Sequence, residues 1–346
     1  MPLLPLLLLS CLLLTISACS PHYKGPTTDH FNGKKFFNPG MPERSSGGVL
    51  KWLFNRDKGA WPEQADAYVG GKPATRVEGD GLVLTFVNHS TFLIQTNGLN
   101  ILTDPVWSKR VGPTSWLGIK RKRPPGLRFE ELPPIDVVLL SHNHYDHLDL
   151  PTIKKLVKAH NPLFVTPLGV SYLPKSVDGR ATRELDWNDT LRVNDKLSLT
   201  CTQAQHFSNR GLGDRDETLW CGYLIHTSFG TTYFCGDSGY GPHFKQIGEL
   251  ANRGPAAGPI KLALLPIGSY RPAWFMAPVH VSPAGAAQAF LDLGAKQAVG
   301  IHFGTFQQGD DGLLEPIEDL RKALREKKIP ENRFVVPREG HPLVYK

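Results

Sequence analysis

Apolar and polar positions along the chain form short β-like runs first, and later runs that alternate with helix-like stretches. Leu82-Val-Leu-Thr-Phe-Val87, Thr91-Phe-Leu-Ile-Gln95 and Leu99-Asn-Ile-Leu-Thr103 are rich in β-branched and aromatic residues. Asn97-Gly98, between the last two, is a hairpin turn signal. Ile135-Asp-Val-Val-Leu-Leu140 predicts a buried strand. Further strands are predicted at Phe164–Thr166, Leu197–Thr202, Leu219–His226, Thr231–Cys235 and Lys261–Leu265, with short ones at Ala298–Ile301 and Phe334–Val336. Helices are predicted at Pro151–His160, Pro242–Asn252, Pro283–Leu293 and Glu315–Glu326. Strands in antiparallel runs, then strands alternating with helices, suggest an α+β fold of two packed sheets with helices outside.

Composition narrows the class. With 40% hydrophobic and 21% charged residues, the 346-residue chain is globular rather than disordered. Its 34 Gly and 29 Pro follow no collagen-like period and suit a fold with many turns. A net charge of +7 leaves two readings open: a basic solvated surface, or a cationic patch for phosphate or anionic lipid. The five Cys, at 11, 19, 201, 221 and 235, form no C-x-x-C pair. No G-x-S-x-G elbow or P-loop occurs. Gly236-Asp-Ser-Gly239 has the look of a serine-protease string, but no matching upstream histidine motif accompanies Ser238.

The informative string follows the strand that ends at Leu140. Ser141-His142-Asn143-His144-Tyr145-Asp146-His147-Leu148-Asp149 packs three His and an Asp into H-x-H-x-D-H spacing. In an extended loop His142 and His144 point the same way, so both can bind one metal. Tightening of the chain then turns Asp146 and His147 towards a second. Imidazole and carboxylate without Cys favour a catalytic site with open positions over a structural zinc site. His206, Asp237 and His302 each follow a β-rich run into a loop and are the candidates to complete the donor set.

These motifs resemble the metallo-β-lactamase superfamily, and closely its N-acyl-phosphatidylethanolamine phospholipase D branch, from about Leu82 to Phe306. The resemblance also rests on Thr103-Asp-Pro105, Arg121-Lys-Arg-Pro-Pro125, Gly236-Asp-Ser-Gly-Tyr240, Leu265-Pro-Ile-Gly-Ser-Tyr270, Trp274-Phe-Met276 and His302-Phe-Gly-Thr305. It implies an αββα four-layer sandwich and two divalent ions, zinc in kind. His142, His144 and His206 would hold the first ion and Asp146, His147 and His302 the second, with Asp237 bridging. Asp146, Asp237 and His280 are the implied catalytic residues, His280 lying near the substrate. Asp104 either orients a ligand histidine or caps the turn at Pro105. His89 is near the site by analogy, though a packed loop histidine is the simpler reading. Ser238 replaces a usual Thr, and Arg271 stands where an acidic residue is common.

The implied activity is a phosphodiesterase acting on a lipid phosphodiester through a metal-bound hydroxide. A lactonase or other carbon-centred hydrolase of the same fold stays open, as does a non-enzymatic envelope lipoprotein that binds metal or lipid. The expected substrate is a small molecule or phospholipid, and no nucleic-acid partner is expected. Lys120-Arg-Lys-Arg123 is either a solvated run or a contact for anionic head groups. Trp274-Phe-Met276 is either core or a loop that admits acyl chains.

The N-terminus suggests an address. Leu3 to Ile16 is an apolar run of 14 residues, too short for a comfortable membrane span but fit for a secretory signal. It ends in Ile16-Ser-Ala-Cys19, which resembles a bacterial lipobox, although no Lys or Arg precedes it. The resemblance implies removal of residues 1–18, acylation of Cys19 and, with Ser20 next, a lipid anchor on the periplasmic face of the outer membrane. An ordinary cleaved signal or an uncleaved anchor are the alternatives. Residues 19–79 read as a tether and N-terminal extension with Trp52, Phe54 and Trp61 as packing points, and 80–346 as the catalytic domain. Cys201, Cys221 and Cys235 read as buried thiols, with a Cys201–Cys221 bridge conceivable in an oxidising compartment.

Overall fold

The computed structural model describes residues 23–41, 46–68, 70–172, 182–211, 213–253 and 258–346. The apolar run and Cys19 lie outside them. Among the described residues no helix is long and apolar enough to cross a membrane.

In chain order the strands are β1 (Leu82–Asn88), β2 (Thr91–Thr96), β3 (Leu99–Thr103), β4 (Arg110–Val111), β5 (Ile119–Lys120), β6 (Val137–Leu139), β7 (Leu163–Pro167) and β8 (Thr182–Leu185). They continue with β9 (Thr190–Asn194), β10 (Leu197–Thr202), β11 (Gly222–Thr227), β12 (Gly230–Phe234), β13 (Ile260–Pro266), β14 (Gln297–Ile301), β15 (Phe334–Val335) and β16 (Pro342–Tyr345). The helices are α1 (Ser46–Phe54), α2 (Leu150–His160), α3 (His243–Ala251), α4 (Ala273–Met276), α5 (Pro283–Asp292) and α6 (Glu315–Glu326).

One sheet has the order β16-β1-β2-β3-β6-β7-β8, and the other β15-β14-β13-β12-β11-β10-β9. Each joins an antiparallel meander to a parallel crossover half. Asn97 (φ 51°) and Gly98 (φ 75°) both sit in the left-handed region, as a two-residue hairpin between β2 and β3 requires. α2 opens on Pro151, buries Thr152, Ile153, Leu156 and Val157 along one face, and stops at left-handed Asn161.

The main core joins the facing sheets: Phe86, Phe92 and Ile94 belong with Leu199, Tyr223 and Leu224 to one cluster. Tyr223 Oη reaches across to donate to Leu140 O at 3.0 Å. α2 packs on the outer side of the first sheet through Ile153, Leu156 and Val157 against Val138, Leu140 and Phe164. Phe244, Phe290, Leu320 and Leu324 of α3, α5 and α6 are buried in the cluster that covers the second. The layers are therefore α, β, β, α.

Residues 23–41 belong to this body, with Phe31 and Phe36 buried in the main core. Trp52 and Trp61 donate to Asp310 and Asp311, but Phe54 is 85% exposed and is no packing point among the described residues. Cys201, Cys221 and Cys235 are free, buried thiols, so the conceivable bridge is not formed.

Candidate metal centre

One edge of the sandwich gathers the carboxyl ends of many strands. His89 follows β1, Asp104 follows β3, and the string Ser141–Asp149 follows β6. From the other sheet His206 follows β10, Asp237 follows β12 and His302 follows β14. These strands run the same way within their sheets, so their ends meet where open α/β sheets bind ligands. Backbone strain collects here too: His89 (φ 49°), Asp104 (33°), Ser269 (59°) and His302 (59°) are all left-handed.

The predicted donors converge. His144 Nδ1 lies 2.8 Å from His142 Nε2 and 3.2 Å from His206 Nε2. Asp146 Oδ2 lies 3.1 Å from His147 Nε2 and 3.5 Å from His302 Nε2. Asp237 Oδ2 sits between the two groups, 3.0 Å from His302 Nε2, 3.2 Å from His147 Nε2 and 3.7 Å from His206 Nε2. Tetrahedral ligands at about 2.0–2.1 Å from zinc are about 3.3 Å from one another, so these separations fit a pair of metal sites sharing Asp237. His147 Nε2, Asp237 Oδ1 and His302 Nε2 are buried without a hydrogen-bond partner, as atoms meant for a cation are.

Surrounding bonds fix each ring. Ser141 Oγ donates to Asp104 Oδ2 (2.6 Å), so its contact with His142 Nδ1 (2.8 Å) has the imidazole as donor. His147 Nδ1 faces Asp104 Oδ2 at 2.6 Å and His206 Nδ1 faces Val279 O at 2.9 Å. Each of these three rings therefore turns an Nε2 lone pair to the centre. Asp104 is the orienting carboxylate. Burial, then the neighbouring rings, pushes His142 well below the ordinary imidazole range, and burial takes His144 to about 4. Burial opposes charge on Asp146 and Asp237, yet the facing His147 holds both well below the usual carboxylate range. Burial disfavours charge on His147 and His302 too, but Asp237 and Asp146 raise both, His302 to about 9. A divalent cation entering beside these carboxylates therefore takes the place of ring protons, while His142, His144 and His206 offer neutral imidazoles.

A family model described as the beta-lactamase superfamily domain matches residues 99–303. The chain belongs to the beta-lactamase superfamily. An N-acyl-phosphatidylethanolamine-hydrolyzing phospholipase D of Caenorhabditis elegans is 36% identical over 267 residues, 74% of this chain and 73% of the relative. An uncharacterised protein of Mycobacterium tuberculosis is 38% identical over 259 residues, 73% of this chain and 67% of its own length. Among solved structures, an isothiocyanate hydrolase from Delia radicum gut bacteria superposes with a TM-score of 0.58 at 21% identity, over 75% of this chain and 98% of that one. The αββα layers are thus the metallo-β-lactamase fold, and its donor-lined edge marks the protein as a metal-dependent hydrolase of this superfamily.

Several expectations change at the superfamily's active edge. His89 is no mere packed loop residue: its Nε2 lies 2.8 Å from Asp146 Oδ2. Its place directly after β1, like the donors after their strands, was the available signal. Asn38 was not foreseen, because it lies outside every motif. It brackets His206 from the N-terminal segment, donating to His206 O (2.7 Å) and accepting from His206 N (3.2 Å). His280 Nδ1 is 3.8 Å from Asp237 Oδ2, at the edge of the donor cluster. Ser238 is buried and engaged with Gln205 N and His243, which suits no nucleophile.

The Lys120–Arg123 run is not a free cationic patch. Lys120 and Lys122 pair with Glu63, Arg121 is packed over Phe306, and Arg123 pairs with Glu339. Trp274-Phe-Met276 forms the short helix α4 rather than a loop. Phe275 stacks on Trp52 at 4.9 Å and lines, with Met276, a cavity of about 490 Å³ that also exposes His144, Asp146, Asp237 and His280. Trp274 faces a neighbouring hollow instead. Arg271 pairs with Glu315 and Asp319 outside the donor set.

Proposed function

We propose that the protein hydrolyses the phosphodiester of an N-acylated phospholipid with two zinc ions held by His142, His144, Asp146, His147, His206, Asp237 and His302. The observation that carries this reading is the mixed lining of the 490 Å³ cavity. Trp52, Phe207, Phe275, Met276 and Val279 offer an apolar wall for acyl chain, next to the metal donors and the cation of Arg215. The surroundings of its mouth are apolar as well. Leu50, Leu53 and Phe54 are exposed on α1, which supplies Val49 and Trp52 to the cavity, and Trp116 and Leu117 are exposed beside Ile119, another lining residue. Such a rim suits an amphiphile presented at a bilayer or micelle surface. A lipid anchor at Cys19 would hold the mouth near that surface. The name of the nematode relative supports the same substrate class.

Divalent ions at these donors supply a water of lowered pKa and neutralise charge on the phosphoryl oxygens. The chain's own residues do the rest. Asp104, Ser141 and Val279 O hold the ligand rings in one tautomer. His280 lines both the metal cavity and the hollow beyond it, where its ring N–H can bond a phosphoryl or leaving oxygen. The apolar wall spends remote binding energy on orienting the diester.

The test is a turnover comparison on zinc-loaded protein, using an N-acylated phospholipid in micelles, a water-soluble diester with the same head group, and a lactone. The lipid should release a phosphatidate-type product with the highest kcat/KM. Lactone turnover without lipid turnover would replace this reading with the carbon-centred one.

A further inference from the structure

Beside the metal cavity lies another hollow, of about 510 Å³, that shares Val111 and Tyr145 with it. Lys109, Arg110 and Arg210 line it against one carboxylate, Asp149. That carboxylate is already saturated. It accepts from Trp107 N (3.3 Å), Ser108 N (3.0 Å), Ser108 Oγ (2.7 Å) and Thr152 Oγ1 (2.6 Å). Its side chain makes no capping bond to the backbone of α2, and Leu150 and Pro151 at that helix end, the second without an N–H, line the same hollow. Among the described residues Lys109 and Arg110 form no ion pair, and Arg110 is steadied only by Nη1 donating to Gly118 O at 2.9 Å.

Arg210 ties this hollow to the metal loop. Its backbone N donates to Asp214 Oδ1 (3.0 Å), and its guanidinium lies 4.0 Å over the Tyr145 ring. Nη1 donates to Asn143 O (2.6 Å) and Leu148 O (2.8 Å), the two carbonyls that bracket the stretch from His144 to His147. The side chain that presents positive charge to the hollow therefore also braces the donor string.

We propose that this hollow is a phosphate site distinct from the metal centre, taking a phosphate dianion, free or as the phosphomonoester head group of a lipid. Three cations against one carboxylate, whose oxygens are already occupied by neutral donors, leave an excess of positive charge that matches that ligand. The Ser115 hydroxyl adds a donor of the kind that phosphate oxygens accept, and the positive end of α2 faces the same space. The inference stands on this lining and not on which diester the metal centre cleaves.

Equilibrium dialysis of the zinc-loaded chain with radiolabelled inorganic phosphate tests it. The wild type should bind one equivalent more than the Lys109→Ala/Arg110→Ala variant, or bind that equivalent at least about tenfold more tightly, since each lost charge-assisted bond is worth about that factor. Lys109→Ala alone, at an exposed position, should give a smaller weakening in the same direction. An Asp237→Ala chain should keep the equivalent that the double variant loses. Equal phosphate binding by the wild type and the double variant would overturn the proposal. So would loss of all phosphate from the Asp237→Ala chain, because the anion would then belong to the metals. Competition with a short-chain phosphatidate below its micelle concentration separates the sources: tighter displacement assigns the lipid head group, and equal displacement assigns free phosphate. Failure of lipid turnover with this count intact would remove the proposed substrate and leave the site.

Discussion

Asp104 Oδ2 and His147 Nδ1 lie 2.6 Å apart, and both side chains are fully buried. The same carboxylate receives Ser141 N and Oγ, and Ser141 in turn receives His142 Nδ1. One carboxylate thus orients a histidine in each half of the donor set. Asp104→Asn keeps the shape but removes one acceptor and the charge. Zinc affinity should fall about 10–100-fold, as read by competition with a chromophoric chelator. Unchanged affinity with a native circular dichroism spectrum would relieve Asp104 of that role.

Gly236 stands just before Asp237 at φ 62°, and a Cβ there would lie 2.6 Å from Ser141 Cβ and 3.0 Å from Cys221 O. Gly236→Ala should therefore cost about 2 kcal/mol or more, combining strain with a backbone shift, and should lower zinc content. Gly294 is the control. It has the same φ of 62° but open space around its Cβ position, so Gly294→Ala should cost only about 1 kcal/mol. Denaturant midpoints of the two variants make the comparison, and equal losses would show that crowding at Ser141 plays no part.

The donors were legible because their spacing is chemical: H-x-H-x-D-H serves metal binding whatever the surrounding fold. The central strands were legible because burial on both faces makes their apolar runs nearly continuous. The edges were not. β9 has no fully buried position, and β16 alternates exposed and half-buried residues, so neither stands out by hydrophobicity. The ion pairs of the charge run Lys120–Arg123 were not legible because its partners, Glu63 and Glu339, are distant in sequence. Asn38 was invisible for the same reason: its partner His206 is 168 positions away.

Phe275 and Trp274 are neighbours in sequence that face different hollows. Phe275→Ala should raise KM for the lipid substrate at least about tenfold, since burial of an apolar side chain is worth about 1.5 kcal/mol or more, and change kcat/KM for the soluble diester less than about threefold. Trp274→Ala should affect both substrates less, since its ring does not line the metal cavity. A larger lipid defect in Trp274→Ala would move the acyl chain into the adjoining hollow.

Membrane fractionation checks the anchor. Wild type should sediment with membranes and Cys19→Ala should not, because stable attachment needs more than one acyl chain or signal. Equal association of both forms after a high-salt wash would assign an uncleaved apolar anchor.

His30 Nε2 lies 2.7 Å from Asp186 Oδ1 and its Nδ1 lies 2.6 Å from Asp29 Oδ1, with the ring stacked 4.4 Å from Trp187. This contact fastens to the connection between β8 and β9 the segment that carries Asn38, and hence the bracket around His206. Burial disfavours the imidazolium, but the hydrogen bonds to Asp186 and then Asp29 prevail and raise the pKa above 6.5. A group whose folded pKa is raised contributes stability that is complete below its unfolded pKa, about 6.5, and is lost as pH rises through the folded value. His30→Gln keeps a polar side chain without the titration. The loss of Tm on this substitution should be about 2–4 °C near pH 5.5 and should shrink towards zero at about pH 9. Paired melts of wild type and variant cancel the other titrating groups, so the quantity that decides is the difference of the two losses. An equal loss at both pH values would mean that His30 acts through stacking on Trp187 and not through charge.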